Sequence, residues 1–215
     1  MNSETQAGTG DQDANHEALE PTALDAKVDN HATHKADLRR SLLKARRSMP
    51  QEVWQSKSLQ LCQQLQTSVW FKQANTVLSY FSFRQEPDLS SLLDIERQWG
   101  FPRCVGKTLV WHFWLPDQEP LRLGAYGIPE PDPAAPGVQP AEVDLILVPA
   151  VACDARGYRL GYGGGFYDRL LSMPAWANIP TIGIVFESAR LPRLPVDAWD
   201  QPLQAICTEV GLFTC

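Results

Sequence analysis

Histidine is scarce in this chain. Of the four present, His16, His31 and His34 lie in or beside the N-terminal segment, and only His112 falls in the body. Histidine is the side chain that most readily moves a proton near neutral pH, so a mechanism built on it is not expected. The five cysteines, Cys62, Cys104, Cys153, Cys207 and Cys215, are scattered and contain no CxxC pair. They fit reduced cytosolic thiols better than a zinc site or a disulfide framework. No Gly-Lys-Ser/Thr tripeptide occurs, which removes a Walker A loop. No apolar run reaches the roughly 18 residues a membrane span needs. The N-terminus lacks the basic and apolar regions of a secretory signal, and its acidity argues against a mitochondrial presequence. A cytoplasmic protein without a membrane partner is expected.

Charge of one sign is also missing from the body. Residues 1–34 hold seven acids against Lys27 alone, which accounts for the whole net charge of −6. The balanced remainder offers no broad basic face for nucleic acid. Residues 1–33 have few large apolar groups and cannot bury enough surface to offset the entropy of ordering. They are read as a disordered acidic tail. The 215 residues suit one substantial core with such a tail, so residues 34–215 are read as one domain.

What the chain does have is glycine in one place. Gly161, Gly163, Gly164 and Gly165 fall within five positions. They follow the apolar run 143–149 and lead into a helix-like run from Phe166 to Leu171. A glycine loop opening a helix aims unpaired N–H groups at one spot, which suits a phosphate. Arg159 and Arg169 flank it with positive charge, and Asp168 adds the oxygen ligand that Mg²⁺ prefers. The alternative is a tight, buried strand-to-helix turn. A dinucleotide fingerprint matches poorly, because the loop comes late and no further βαβ half follows it.

The rest of the pattern is that of an α/β protein. Leu38, Leu42, Ala45 and Met49 form one apolar helical stripe from His34 onward, with Lys35, Arg39, Arg40, Lys44, Arg46 and Arg47 on other faces. Lys35 and Arg39, four apart, share a side and either face solvent or reach a polyphosphate. Pro50 suits the first turn of a second helix ending by Trp70. Strands are predicted at 76–83, 143–148, 181–186 and 205–210, with two more around a Gly106-Lys107 turn. Asp88 is a predicted N-cap for a helix through Trp99, and residues 124–140 read as a long irregular loop. Glu86 lies beyond the first strand, either as a ligand contact or as a solvated acid.

Taken together, Lys35-x-x-x-Arg39, Ser82-x-x-x-Glu86 and Arg159-Leu160-Gly161-x-Gly163-x-Gly165-x-Tyr167-Asp168 closely resemble the 5-formyltetrahydrofolate cyclo-ligase family. Gly127-Ile128-Pro129-Glu130-Pro131, the run from Asp144 to Pro149, and Pro195-Val196-x-x-x-Asp200 extend the resemblance in register over residues 34–210. It implies a three-layer α/β/α Rossmann-like fold with a mostly parallel sheet and an N-terminal helical pair. It also implies an ATP- and Mg²⁺-dependent conversion of 5-formyltetrahydrofolate into 5,10-methenyltetrahydrofolate by a monomer, with no nucleic-acid partner.

By the same resemblance, ATP is held by Lys35, Arg39 and the run Arg159, Leu160, Gly161, Tyr162, Gly163, Gly164, Gly165, Phe166 and Tyr167. Folate is met by Glu86 and by Tyr162 to Phe166. Arg159 and Tyr167 are the implied catalytic residues, and Asp168 and Asp200 the implied metal ligands. Some family members carry bulky basic residues where this chain has Tyr162 and Gly164. The contacts those would make are expected here from backbone N–H groups or from Arg159 and Arg169. Two other readings stay open at this point. A sugar-phosphate isomerase of similar architecture would not need ATP, and a non-catalytic folate or nucleotide binder would form no product.

Overall fold

The computed structural model describes Met1, residues 23–116 and residues 120–215. Of the tail 1–33 expected to be disordered, residues 2–22 lie outside the described residues, and residues 23–33 are helical. Helix α1 spans Ala23–Arg47, so it begins ahead of the predicted start at His34. Ala, Leu and Lys are strong helix formers, and a segment short of large apolar groups can extend a helix whose later turns are docked. Pro50 caps α2, Gln51–Thr67, rather than entering its first turn. Helix α3, Val69–Gln73, follows, with the Ser68 hydroxyl accepting from the Phe71 N–H.

The strands are β1 Thr76–Leu78, β2 Gln98–Val105, β3 Thr108–Phe113, β4 Arg122–Leu123, β5 Pro129–Glu130 and β6 Leu145–Pro149. They continue with β7 Ala152–Asp154, β8 Arg159–Leu160, β9 Thr181–Ile184, β10 Arg190–Leu191, β11 Ala205–Thr208 and β12 Gly211–Thr214, and helix α4, Phe166–Leu171, lies between β8 and β9. Seven form the main sheet in the order β12-β11-β9-β6-β1-β2-β3. The pairs from β11 to β2 are parallel. Only the edge strands β12 and β3 run antiparallel to their neighbours. The mostly parallel α/β class expected from sequence is therefore the observed one.

Helices cover both faces of this sheet, and β6 shows why. Side chains of a strand alternate between faces. Leu145 and Leu147 join Leu61 and Leu65 of α2, Phe71 of α3 and Trp99 of β2 in one core. Ile146 and Val148 join Leu170 and Leu171 of α4 in the other, with Trp176 and Ile179. Burying each such aliphatic side chain stabilises the fold by roughly 1.5–3 kcal/mol.

Three predicted elements differ from what is observed. No helix runs from Asp88 to Trp99. A single 3₁₀ turn, Ser90–Leu92, stands there, because Gln98 and Trp99 are drawn into β2 beside β1. Asp88 is not the N-cap of that turn, which is Leu89, although its Oδ1 accepts from the Ser90 N–H at 3.0 Å. The first strand stops at Leu78 instead of Phe83, which frees residues 79–89 as a loop. The 124–140 stretch is only partly irregular, since β5 pairs with β4 and Gly137 bridges to His112.

The connections from β1 and β6 leave in opposite directions. The chain goes from β1 to β2 on one side, and from β6 to β9 and β11 on the other. A crevice forms beyond the carboxyl ends of two parallel strands at such a reversal. Strand β7 pairs with both β8 and β10 in a small separate sheet. The buried Asp154 at its end accepts from the Leu194 N–H at 2.8 Å and from Arg156 at 2.6 Å. That clamp sets the segment after β10 beside the glycine loop.

Candidate active site

The glycine loop joins β8 to α4 beyond the end of β6. Gly163 has φ +101° and Gly165 φ +64°, a left-handed backbone that side chains resist. Gly165 is the N-cap of α4. Two carbonyls of the loop are held from outside. Gly161 O accepts from Arg39 Nε at 2.7 Å, and Gly164 O accepts from Arg169 Nη2 at 2.8 Å. Arg169 Nε also donates to Lys107 O at 2.7 Å, tying the loop to the β2–β3 turn.

Helix α1 docks on this loop through Leu38, Leu42 and Leu43, which pack on Val151, Ala152, Leu160 and Leu194. The docking places Arg39 at the start of the loop and Lys35 against Asp197 and Asp200, which removes the solvated-face reading for both. Burial lowers the pKa of Arg39, although a guanidinium stays charged. Lys35 Nζ donates to Asp197 Oδ2 and to Asp200 Oδ2, each at 2.6 Å. Burial disfavours its charge, but hydrogen bonds and attraction from these two carboxylates outweigh it and raise the Lys35 pKa.

The two candidate metal ligands come from segments that touch. Asp168 Oδ1 accepts from Arg159 Nη2 at 2.6 Å and from the Gln201 N–H at 3.4 Å. Arg159 Nη1 donates to Gln201 O at 2.8 Å, next to Asp200. Each carboxylate has a cation of its own, Arg159 for Asp168 and Lys35 for Asp200. Among the described residues no three metal-ligating side chains gather in one place. This donor set fits a hard cation that takes one or two carboxylates and completes its shell with substrate phosphate and water, as Mg²⁺ does. It does not fit an all-protein cage.

A cavity of about 390 Å³ opens at the crevice between the β1 and β6 connections. Such a size suits a small-molecule ligand. Tyr80, Phe81, Phe83, Arg84 and Glu86 line it from the loop after β1, and Gly161, Tyr162, Gly164, Gly165, Phe166, Tyr167 and Asp168 from the glycine loop and α4. The β2–β3 pair supplies Pro102, Cys104 and Leu109, and the β5 region Tyr126, Ile128, Pro129 and Glu130. The walls are thus aromatic, with a few polar groups between them, as a flat heterocycle requires.

Glu86 is not a solvated loop acid. It is 3% exposed, and its Oε2 accepts from the Phe83 N–H at 3.0 Å. Burial pushes its pKa from 4.5 up to about 7, against the opposing pull of Arg46, the Phe83 N–H, Tyr162 and Arg84. Tyr167 also lines the cavity, and its buried hydroxyl has no partner among the described residues. Burial raises its pKa, so the hydroxyl keeps its proton. Leu160 faces inward, its side chain in the core beneath the loop.

Arg46 was placed by sequence on an outer face of its helix, and the structure buries it at 8% exposure. The signal was present, because Arg46 lies seven residues after Arg39 and so on the same face. Two further features were not expected from sequence, although Glu130 lies in the Gly127-Ile128-Pro129-Glu130-Pro131 motif. Arg84 and Gln85 hold positive φ, at 52° and 57°, without being glycine. Glu130 is buried with its Oε1 accepting from the Cys104 N–H at 2.9 Å.

Known proteins resemble this chain in sequence and fold. The model of the 5-formyltetrahydrofolate cyclo-ligase family matches residues 31–209. A 5-formyltetrahydrofolate cyclo-ligase of Haemophilus influenzae is 35% identical over 145 residues, covering 61% of this chain and 74% of that one. One from Escherichia coli K12 is 32% identical over 176 residues, covering 76% and 93%. The solution structure of Aquifex aeolicus 5,10-methenyltetrahydrofolate synthetase superposes with a TM-score of 0.74 at 33% identity, over 84% of this chain and 92% of that one. Glu86 and the glycine loop line one crevice, and the chain is a member of the 5-formyltetrahydrofolate cyclo-ligase family.

Proposed function

We propose that the protein is a monomeric cytoplasmic enzyme that converts 5-formyltetrahydrofolate and ATP into 5,10-methenyltetrahydrofolate, ADP and phosphate. One observation carries this reading. The glycine loop, gripped by Arg39, and the buried Glu86 line one aromatic cavity, with Tyr162 of the loop beside the Glu86 carboxyl. A polyphosphate and a flat heterocycle would therefore meet at the loop.

The formyl oxygen attacks the γ-phosphorus, and the bond from that phosphorus to the ADP oxygen breaks. N10 then attacks the formyl carbon and loses its proton. The carbon–oxygen bond breaks, and phosphate leaves with the former formyl oxygen. Such a sequence needs positioning and charge neutralisation more than a protein nucleophile. Lys35, Arg39 and the N–H groups of residues 161–167 hold the phosphates in this account, and Arg159 meets charge developing on the transferred group. Glu86 fixes the pterin ring with a carboxyl that is poised near neutrality. Tyr167 offers its unpartnered hydroxyl to the folate. Asp168 and Asp200 would hold a Mg²⁺ ion, which supplies neutralisation of phosphate charge.

Incubation with 5-formyltetrahydrofolate, ATP and Mg²⁺, followed by the absorbance of methenyltetrahydrofolate, tests the reading. Product should grow with time and stop when any one component is omitted. Ligand binding without product would make the protein a binding module, and product formed without ATP would point to another chemistry.

A further inference from the structure

Arg46 lies outside the phosphate-binding and folate-binding residues discussed so far, yet it touches three segments at the crevice, the loop after β1, the end of β6 and the glycine loop. It leaves α1 with its guanidinium buried. Nε donates to Arg84 O at 3.1 Å, in the loop after β1. Nη1 donates to Ala150 O at 3.2 Å, just past the end of β6. Nη2 donates to the hydroxyl of Tyr162, in the glycine loop. The same nitrogen lies 3.9 Å from Glu86 Oε1. A guanidinium has a rigid fork of five donors, so one group fixes the separation of three chain segments.

We propose that Arg46 is a positioning residue for the cyclo-ligase reaction, setting the glycine loop against the Glu86 wall through its bonds to Tyr162, Arg84 and Ala150. The proposal rests on the reading of the crevice given above. Two facts favour it over a purely structural role. Arg84 and Gln85 sit in left-handed backbone, a conformation that costs energy in non-glycine residues, and the Arg84 carbonyl between them is the one Arg46 holds. Tyr162 is more than a third exposed, so its hydroxyl bond to Arg46 is not needed to fill a core. It instead holds a ring that packs beside Phe83 at the cavity lining, with centroids 6.2 Å apart.

Arg46 also acts on the charge of Glu86. The other groups facing that carboxyl are Arg84 from its own loop, Tyr162 from the glycine loop, Tyr167 from α4, and Tyr80 just beyond β1. Arg46 is the largest opposing influence to the burial that raises the Glu86 pKa. Removing it should push the Glu86 titration further upward.

Three variants test this in the full-length enzyme. Arg46→Met removes charge and fork, Arg46→Lys keeps the charge without the fork, and Tyr162→Phe removes only the hydroxyl. All three should lower kcat by about 10- to 100-fold, the size of effect that a small misplacement of reacting groups produces, while KM for ATP changes by less than about threefold. Carboxyl-carbon NMR should show Glu86 titrating at higher pH in Arg46→Met and near the parent value in Arg46→Lys. This readout needs no turnover, so it separates failure of the positioning role from failure of the cyclo-ligase assignment. If Arg46→Met does not fold, Arg46→Lys and Tyr162→Phe carry the kinetic test with their melting temperatures as controls. A parent-like kcat in both of those variants would overturn the proposal. So would a Glu86 titration that does not move in a folded Arg46→Met.

Discussion

Lys35 Nζ bridges Asp197 and Asp200 at 2.6 Å from an oxygen of each. This one contact joins the first helix of the domain to the loop that precedes its last parallel strand. It also neutralises Asp200, as Arg159 neutralises Asp168. The two proposed metal ligands are thus held ready with cations as stand-ins. On the proposed function, Asp168 and Asp200 would hold a Mg²⁺ ion that neutralises phosphate charge, and Lys35 and Arg159 would meet phosphate oxygens.

The proposed nucleotide role of α1 separates two adjacent arginines. Arg39 reaches Gly161 O, whereas Arg40 is exposed and pairs only with Asp37 among the described residues, at 2.9 Å. Arg39→Ala should cost a charge-assisted contact and lower kcat/KM for ATP by about 10- to 150-fold. Arg40→Ala should leave it unchanged. Equal, small effects at both positions would return this helix face to a structural role.

Asp168→Asn should raise the Mg²⁺ concentration needed for half-maximal turnover by roughly 10-fold or more. Folate affinity should change little. A Mg²⁺ titration that superimposes on the parent curve would remove Asp168 from the metal site.

Glu86 makes stability depend on pH. Its folded pKa is raised from 4.5 to about 7, so the folded state binds this proton more tightly than the unfolded chain. The stabilisation is fully present below pH 4.5 and is lost as pH rises through 7, a span of roughly 3 kcal/mol. Glu86→Gln removes the titration. Its melting temperature should therefore gain on the parent's between pH 5 and 8, and parallel curves across that range would contradict the assignment.

Gly165 combines positive φ with a neighbour that leaves little room. A Cβ there would lie 2.8 Å from Arg169 Nη1. Gly165→Ala should strain the backbone by about 1 kcal/mol, which lowers the melting temperature by about 2–4 °C. Turnover should fall further than stability, because the loop is displaced at the site of transfer.

Much of this was legible in sequence where one residue carries one message. The glycine loop, the helix from Phe166 to Leu171 and the buried strand at β6 depend on local backbone preference and apolar runs, and all three stand where expected. The region from Asp88 to Trp99 misled, because pairing of Gln98 and Trp99 with β1 is a long-range effect that overrides local helix preference. The burial of Glu86 was equally invisible, since it depends on α1 and the glycine loop closing over the loop after β1. Arg46 was hidden among six basic residues of one helix, and only the docking of that helix distinguishes it.

The central claim is that the formyl oxygen becomes a phosphate oxygen. It is tested most directly by supplying 5-formyltetrahydrofolate labelled with ¹⁸O in the formyl group, together with ATP and Mg²⁺, and analysing the products by mass spectrometry. The account predicts one ¹⁸O atom in the inorganic phosphate for each methenyltetrahydrofolate formed. Methenyltetrahydrofolate formed with unlabelled phosphate would contradict it.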